Sequence, residues 1–315
     1  MTAILGGLAA AVLWATATLA SSRSSRMIGS RVVLAWVMIV GTIVGLPLAL
    51  ATGVPRQIEP GILALVVLAG VCYSAGLYAT YKALTIGKVS IVAPIVATEG
   101  AVGALIAVAL GDTLTLVAAL LLAVIAGGVV LSAIEPARPD VPAGDIELAA
   151  DALDGPARDD ARARIADHAV LLADDAARTR RTVIYSVAGA LIFGVGLVAT
   201  GKAAAHIPPI WVAVSARFVG LAVVALPLVL QRRLTITRRA LPLVVVAGVG
   251  EIIGSTASAW GSIHSIPITA VLGSQFAAIA AVVAFLLFGE RLSRTQVAGV
   301  LLIVGGVTAL AASSV

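Results

Sequence analysis

The segment Phe288-Gly289-Glu290-Arg291-Leu292-Ser293-Arg294, with the apolar run from Gln296 to Ala312 behind it, joins two hydrophobic stretches through a short charged turn. The second stretch carries Gly305-Gly306-Val307, and the same arrangement stands 178 residues earlier. There Gly111-Asp112-Thr113-Leu114-Thr115 precedes an apolar run with Gly127-Gly128-Val129. The same offset lays Ala69-Gly70-Val71 on Ala247-Gly248-Val249, Gly76 on Gly254 and Ile125 on Ile303. One fixed offset that aligns glycines and an acidic turn marks a duplicated unit.

Composition sets the class. The chain is 60% hydrophobic and 12% charged, against roughly half and a quarter in soluble domains. Each copy holds apolar runs near the roughly 20 residues that cross a bilayer. Five spans are expected in the first copy, near 3–20, 32–50, 61–81, 89–110 and 115–134. Five more follow near 182–200, 209–230, 241–260, 267–288 and 295–312. Backbone polar groups in lipid must bond within their own segment, so these spans are read as helices. The fold class is an all-α membrane protein of ten transmembrane helices. The single Cys72 allows no internal disulfide.

The expected domains are residues 1–134, a linker at 135–181 and residues 182–315. The linker holds eleven acids and seven arginines and opens with Pro136, Pro139 and Pro142. It reads as a solvated segment whose Asp/Arg/Ala pattern from Ala157 to Arg180 suits a helix. A unit with an odd number of spans enters the membrane upside down when repeated, so the copies are expected to form inverted repeats. Short odd-numbered loops carry eleven Lys or Arg residues (Arg23, Arg26 and Arg31 among them), and even loops carry two, Arg56 and Lys202. By the positive-inside bias the odd loops and the linker face the cytoplasm, with both termini outside.

The Gly-Glu-Arg-Leu turn, the Gly-Gly-Val helix after it and the stretch from Tyr81-Lys82-Ala83-Leu84 to Val92-Ala93-Pro94 resemble the drug/metabolite transporter superfamily, EamA type. The first copy departs from that pattern in carrying Asp112 where such a turn has Glu. The resemblance implies a multi-pass protein of the cell inner (plasma) membrane that exports metabolites, amino acids or drugs without ATP. It also implies cytoplasmic termini, opposite to the arginine count, which the reading here follows. Expected partners are a small-molecule solute and the lipid bilayer, with no nucleic acid; a monomer and a homodimer both fit. A translocator of lipid-linked carriers is the alternative, and a non-transport partner protein a further one.

Chemistry within the membrane must come from few charges. Glu99 lies mid-way along the fourth span, Glu251 in the eighth and Arg217 in the seventh. Each costs about 2.5–3.5 kcal/mol to insert, so an intramembrane charge is a functional candidate by default. Glu99 aligns with Ala277 and Glu251 with Tyr73, so neither belongs to the repeated scaffold. A structural ion pair with Arg217 explains only one of the two acids, and the other favours a transport site. Glu251, Ser255, Ser258 and Ser262 form one polar stripe, which makes Glu251 the first choice for the proton-coupling acid. Ser74, Tyr78, Tyr81 and Thr85 give the third span a matching stripe. Trp14, Trp36 and Gln275 lie within their spans, and Trp14 and Gln275 are taken as solute contacts. Pro94 suggests a break beside Glu99. The glycine pairs Gly41/Gly45 and Gly250/Gly254 are expected at close helix contacts. His168, His206 and His264 lack ligand spacing and no phosphate-binding glycine loop is present, so no metal or cofactor is expected and no enzymatic step.

Overall fold

The computed structural model describes residues 1–55, 58–87, 89–132, 156–276, 278–279, 283 and 294–313. The turn from Phe288 to Ser293 and linker residues 135–155 lie outside them. Every regular element among the described residues is helical. In chain order these are α1 Thr2–Ile28, α2 Ser30–Ala51, α3 Pro60–Ile86, α4 Val89–Ala97, α5 Glu99–Ala109 and α6 Leu116–Ser132. They continue with α7 Pro156–Ala204, α8 Pro209–Gly220, a π-helical turn Leu221–Ala225, α9 Leu226–Leu230, α10 Leu241–Ser262, α11 Ile266–Gly273 and α12 Arg294–Ser313. Among the described residues six stretches are long and apolar enough to cross a membrane: Thr2–Ile28, Ser30–Ala51, Pro60–Ile86, Ala177–Ala204, Pro209–Leu230 and Leu241–Ser262. Ile95–Ala109 and Leu116–Gly128 are shorter apolar helices.

Two boundaries differ from the expected ones. The polar stretch after Ser21 was expected to end the first span, yet α1 runs on to Ile28. Ser21, Ser22, Ser24 and Ser25 are buried while Arg23 and Arg26 point outward, so the helix continues as an amphipathic one. Ser24 Oγ bonds back to the Ala20 carbonyl at 2.9 Å, which meets its hydroxyl inside the helix. Only Gly29 separates α1 from α2, and its φ of 87° is a conformation that glycine adopts without a Cβ clash. The second half of the linker is one helix with the sixth span. The 49 residues of α7 reach about 74 Å at 1.5 Å per residue, far more than a bilayer needs. The two proline-bearing segments also differ. Pro47 lies within an unbroken α2. Ahead of Pro227 the helix widens, with Leu226 N–H donating to the Leu221 carbonyl five residues back.

The fourth span is broken. Thr98 lies between α4 and α5 and its hydroxyl donates to the Ile95 carbonyl at 2.7 Å, so Glu99 begins a new helix rather than sitting inside one. Gly273 ends α11 in a turn at Ser274 and Gln275, the positions that align with Val96 and Ala97. These two ends abut. A Cβ on Gly100 would come within 2.5 Å of the Ala270 carbonyl and the Ser274 hydroxyl.

Packing runs mostly between the copies. α1 lies along α10, and α3 lies along α7. In span terms the first of one copy packs on the third of the other, both ways round. α2 packs on α10 and α3 on α8, α1 on α11 and α5 on α7, and α6 pairs with α12. Small residues allow the close approaches: Gly6 meets Gly261, Gly250 meets the Leu13 carbonyl and Gly196 meets Cys72. Large apolar side chains such as Ile43, Leu105, Leu116 and Leu230 face outward instead. That inversion of the water-soluble plan suits lipid. At one end Arg26 reaches the Gly87 carbonyl at 3.1 Å. At the other end Lys202 Nζ stands 3.9 Å from Asp112, and Trp211 donates to the Gly53 carbonyl at 2.8 Å.

Candidate functional site

A buried cavity lies between the two copies, walled mainly by α1, α3, α7 and α10, with Glu99 of α5 and the start of α8 completing it. About 70 Å³ of it can hold the centres of water molecules. At ~10–15 Å³ per water, that is room for about five waters. Glu251, Ser255 and Ser258 line it from one face of α10, and Ser262 continues the stripe into an open basin with Asp112, Lys202, His206 and His264. Trp14, Tyr73, Tyr81, Phe193 and Phe276 give the cavity an aromatic wall.

The charges are arranged unequally. Arg217 is fully buried and lies behind the wall, its guanidinium carbon 4.0 Å from the centre of the Tyr73 ring. Gly41 makes the room: a Cβ there would stand 2.9 Å from the Arg217 Nε. Arg217 donates to Ser255 Oγ at 3.1 Å, while Nε and Nη1 have no hydrogen-bond partner among the described residues. The Tyr73 hydroxyl donates to Glu251 Oε2 at 2.5 Å. A direct ion pair was one expectation, but a phenol ring stands between the charges. The cation meets the electron-rich face and the carboxylate meets the hydroxyl.

Glu99 has neither arrangement. It is 5% exposed, lines the cavity and has no hydrogen-bond or ionic partner among the described residues. It stands in the first turn of α5, at the positive end of that helix dipole, which favours a carboxylate. The break in the span therefore does two things: it turns Glu99 into the cavity and supplies part of its charge compensation.

The remaining expected residues divide. Tyr81 lines the cavity and accepts a bond from Ser21 Oγ at 3.0 Å. Trp14 lines it with an unpartnered Nε1, fixed between Gly254 and Gly273. Tyr78 faces away and accepts from Arg31 at 3.3 Å. Gln275 is buried outside the lining, with Nε2 donating to the Val271 carbonyl at 2.9 Å. Trp36 bonds the Thr235 carbonyl at 3.1 Å. In α3 the cavity face is Tyr73, Leu77, Thr80 and Tyr81, so the expected stripe through Ser74 and Tyr78 is turned by one residue. Sequence reasoning passed over Tyr73, Thr80 and Phe193. The signal for Tyr73 was its alignment with Glu251, since the bonded pair is separated by 178 residues, the repeat offset itself.

A sequence model described as the EamA-like transporter family matches residues 1–134 and 180–312. No curated protein matches the chain. Solved structures do; one, described only as "Crystal structure of protein", aligns at a TM-score of 0.69 with 19% identity, covering 98% of this chain and 95% of its own. At that identity the likeness is one of fold.

Proposed function

The chain belongs to the EamA-like transporter family, and from that premise we propose that it is a secondary-active exporter of small metabolites, amino acids or drugs, coupled to protons, in the cell inner membrane. Its ten spans form two inverted repeats, residues 1–134 and 182–315, joined by the charged linker at 135–181. Four observations support the inverted plan: the constant offset, the reciprocal packing of spans, the helix breaks at Thr98 and Ser274, which fall two residues apart in the aligned copies, and the bond between positions 73 and 251. A site between repeats, beside a discontinuous helix, is where alternating access leaves solute reachable from either side in turn.

The observation that carries the function is the pair of buried carboxylates in one cavity with a single buried arginine behind it. Arg217 and Tyr73 satisfy Glu251. Glu99 is left to be neutralised by whatever enters, a proton or a solute, because burial disfavours an uncompensated charge. The proton-carrying role, first given to Glu251, thus goes to Glu99, with Glu251 as the fixed anion. Ser262 and the basin beyond it give water a polar approach along α10. Protonation of Glu99 on one side, and loss of that proton when solute arrives on the other, makes the exchange an antiport.

The test is uptake of radiolabelled metabolites, amino acids and drugs into inverted membrane vesicles, with and without an acidic lumen. Acidification is expected to drive accumulation in the wild type, and Glu99→Gln to abolish the drive at matched expression. If no solute responds to the gradient, the transport reading is wrong; if Glu99→Gln and Glu251→Gln both keep the response, the carboxylates are structural and the coupling argued here is wrong.

A further inference from the structure

We propose that the solute this cavity takes is a small organic cation, an amine whose ammonium group binds at Glu99. This rests on the reading of Glu99 as the exchanging acid. The cavity has two carboxylates facing it and the charge of one arginine behind it, so with both acids ionised it is left with one uncompensated negative charge. An anionic solute would add to that charge, and the Tyr73 ring lies over the guanidinium that could bind it.

The uncharged groups agree. Thr80 and Ser258 line the cavity, and their buried hydroxyls have no partner among the described residues. Turned toward the solute, each hydroxyl accepts an ammonium N–H that Glu99 leaves over, and an ammonium has three to place. Phe193 and Phe276 offer ring faces and edges to the carbon body, and an aromatic wall attracts a cation as well as covering an apolar chain. The small free volume admits a compact molecule.

Exchange balances without a further reactant. The incoming R–NH3⁺ meets Glu99 as the carboxylic acid, the acid's proton leaves to water, and the ammonium–carboxylate pair remains. Among the described residues the other titratable groups facing that space are Glu251, Tyr73 and Tyr81, with Arg217 behind the ring of Tyr73. None of the three stands free of a partner as Glu99 does.

The proposal is tested by calorimetric titration of the full-length protein in phospholipid nanodiscs. The probes are propylamine, phenethylamine and tryptamine, each against its isosteric carboxylate and alcohol. At least one amine is expected to bind about tenfold or more tighter than its isosteres, a difference of about 1.4 kcal/mol. Repeating the titration in buffers of different ionisation enthalpy should show proton release on amine binding. Glu99→Gln is expected to abolish amine binding, with folding checked by its melting temperature. Thr80→Val/Ser258→Ala should weaken binding several-fold and serves as the second variant if Glu99→Gln does not fold. Absence of binding by all three amines, equal or tighter binding of carboxylates or alcohols, or retained affinity in the folded Glu99→Gln or in the double variant overturns it. Because binding is read without transport, amine binding without gradient-driven uptake would reject the exporter reading alone.

Discussion

Arg217 is the least satisfied group in the described protein. Two of its guanidinium nitrogens have no partner, and its counter-charge arrives through an aromatic ring. If the ring relays that compensation, Arg217→Ala leaves Glu251 without it, and breaking a buried pair costs about 3–5 kcal/mol. The melting temperature of Arg217→Ala should therefore fall, and adding Glu251→Gln to the same chain should recover most of the loss. Additive losses would show that the two charges do not sense each other. Tyr73→Phe retains the ring under Arg217 and removes only the hydroxyl, so it should alter the pH profile of transport while lowering stability by about 1–3 kcal/mol, as loss of a hydrogen bond to a charged group does. The acids were legible in the sequence because charge inside an apolar run stands out. The face of α3 was not, since Tyr73, Tyr78 and Tyr81 carry the same hydroxyl and differ only in what lies opposite. Gln275 was misjudged for a similar reason: an amide at mid-span can bond its own helix end, and here it does.

Among the elements, the breaks carry more information than the helices. Pro94 pointed to an interruption near Glu99, but the exact turn at Thr98 depends on a side-chain bond to Ile95 that periodicity does not encode. The end of α1 was misread because buried serines look like a loop in composition and like a packing face in space. Close approach at glycine gives a direct test of the element scale. Gly41→Val would push into the Arg217 side chain, and overpacking of this sort costs about 1–3 kcal/mol. A lowered melting temperature is expected, and combination with Arg217→Ala should relieve part of the added strain. Gly100→Val would strike the backbone carbonyl of Ala270, which cannot move aside as a side chain can, so no partner substitution should rescue it.

For the whole molecule, the duplication was legible from a single offset, whereas the pairing of spans across the copies was not, because sequence order places no constraint on which helices of two membrane units meet. Orientation in the membrane also belongs to this scale. With the odd loops and the linker in the cytoplasm, single cysteines placed at 158 or 178 in a Cys72→Ala background should resist an impermeant maleimide in intact cells. Labelling from outside would invert the assignment.

The hydrogen bond between Tyr73 and Glu251 bears on motion. If two inverted repeats alternate by trading conformations, every contact between position i of one and position j of the other is replaced by the contact of j with i. A bond that joins a position to its own counterpart trades places with itself. The Tyr73–Glu251 bond is of that kind, so under such an exchange it should survive in both conformations while the contacts around it change, and the line joining the two side chains would be the pivot of the motion.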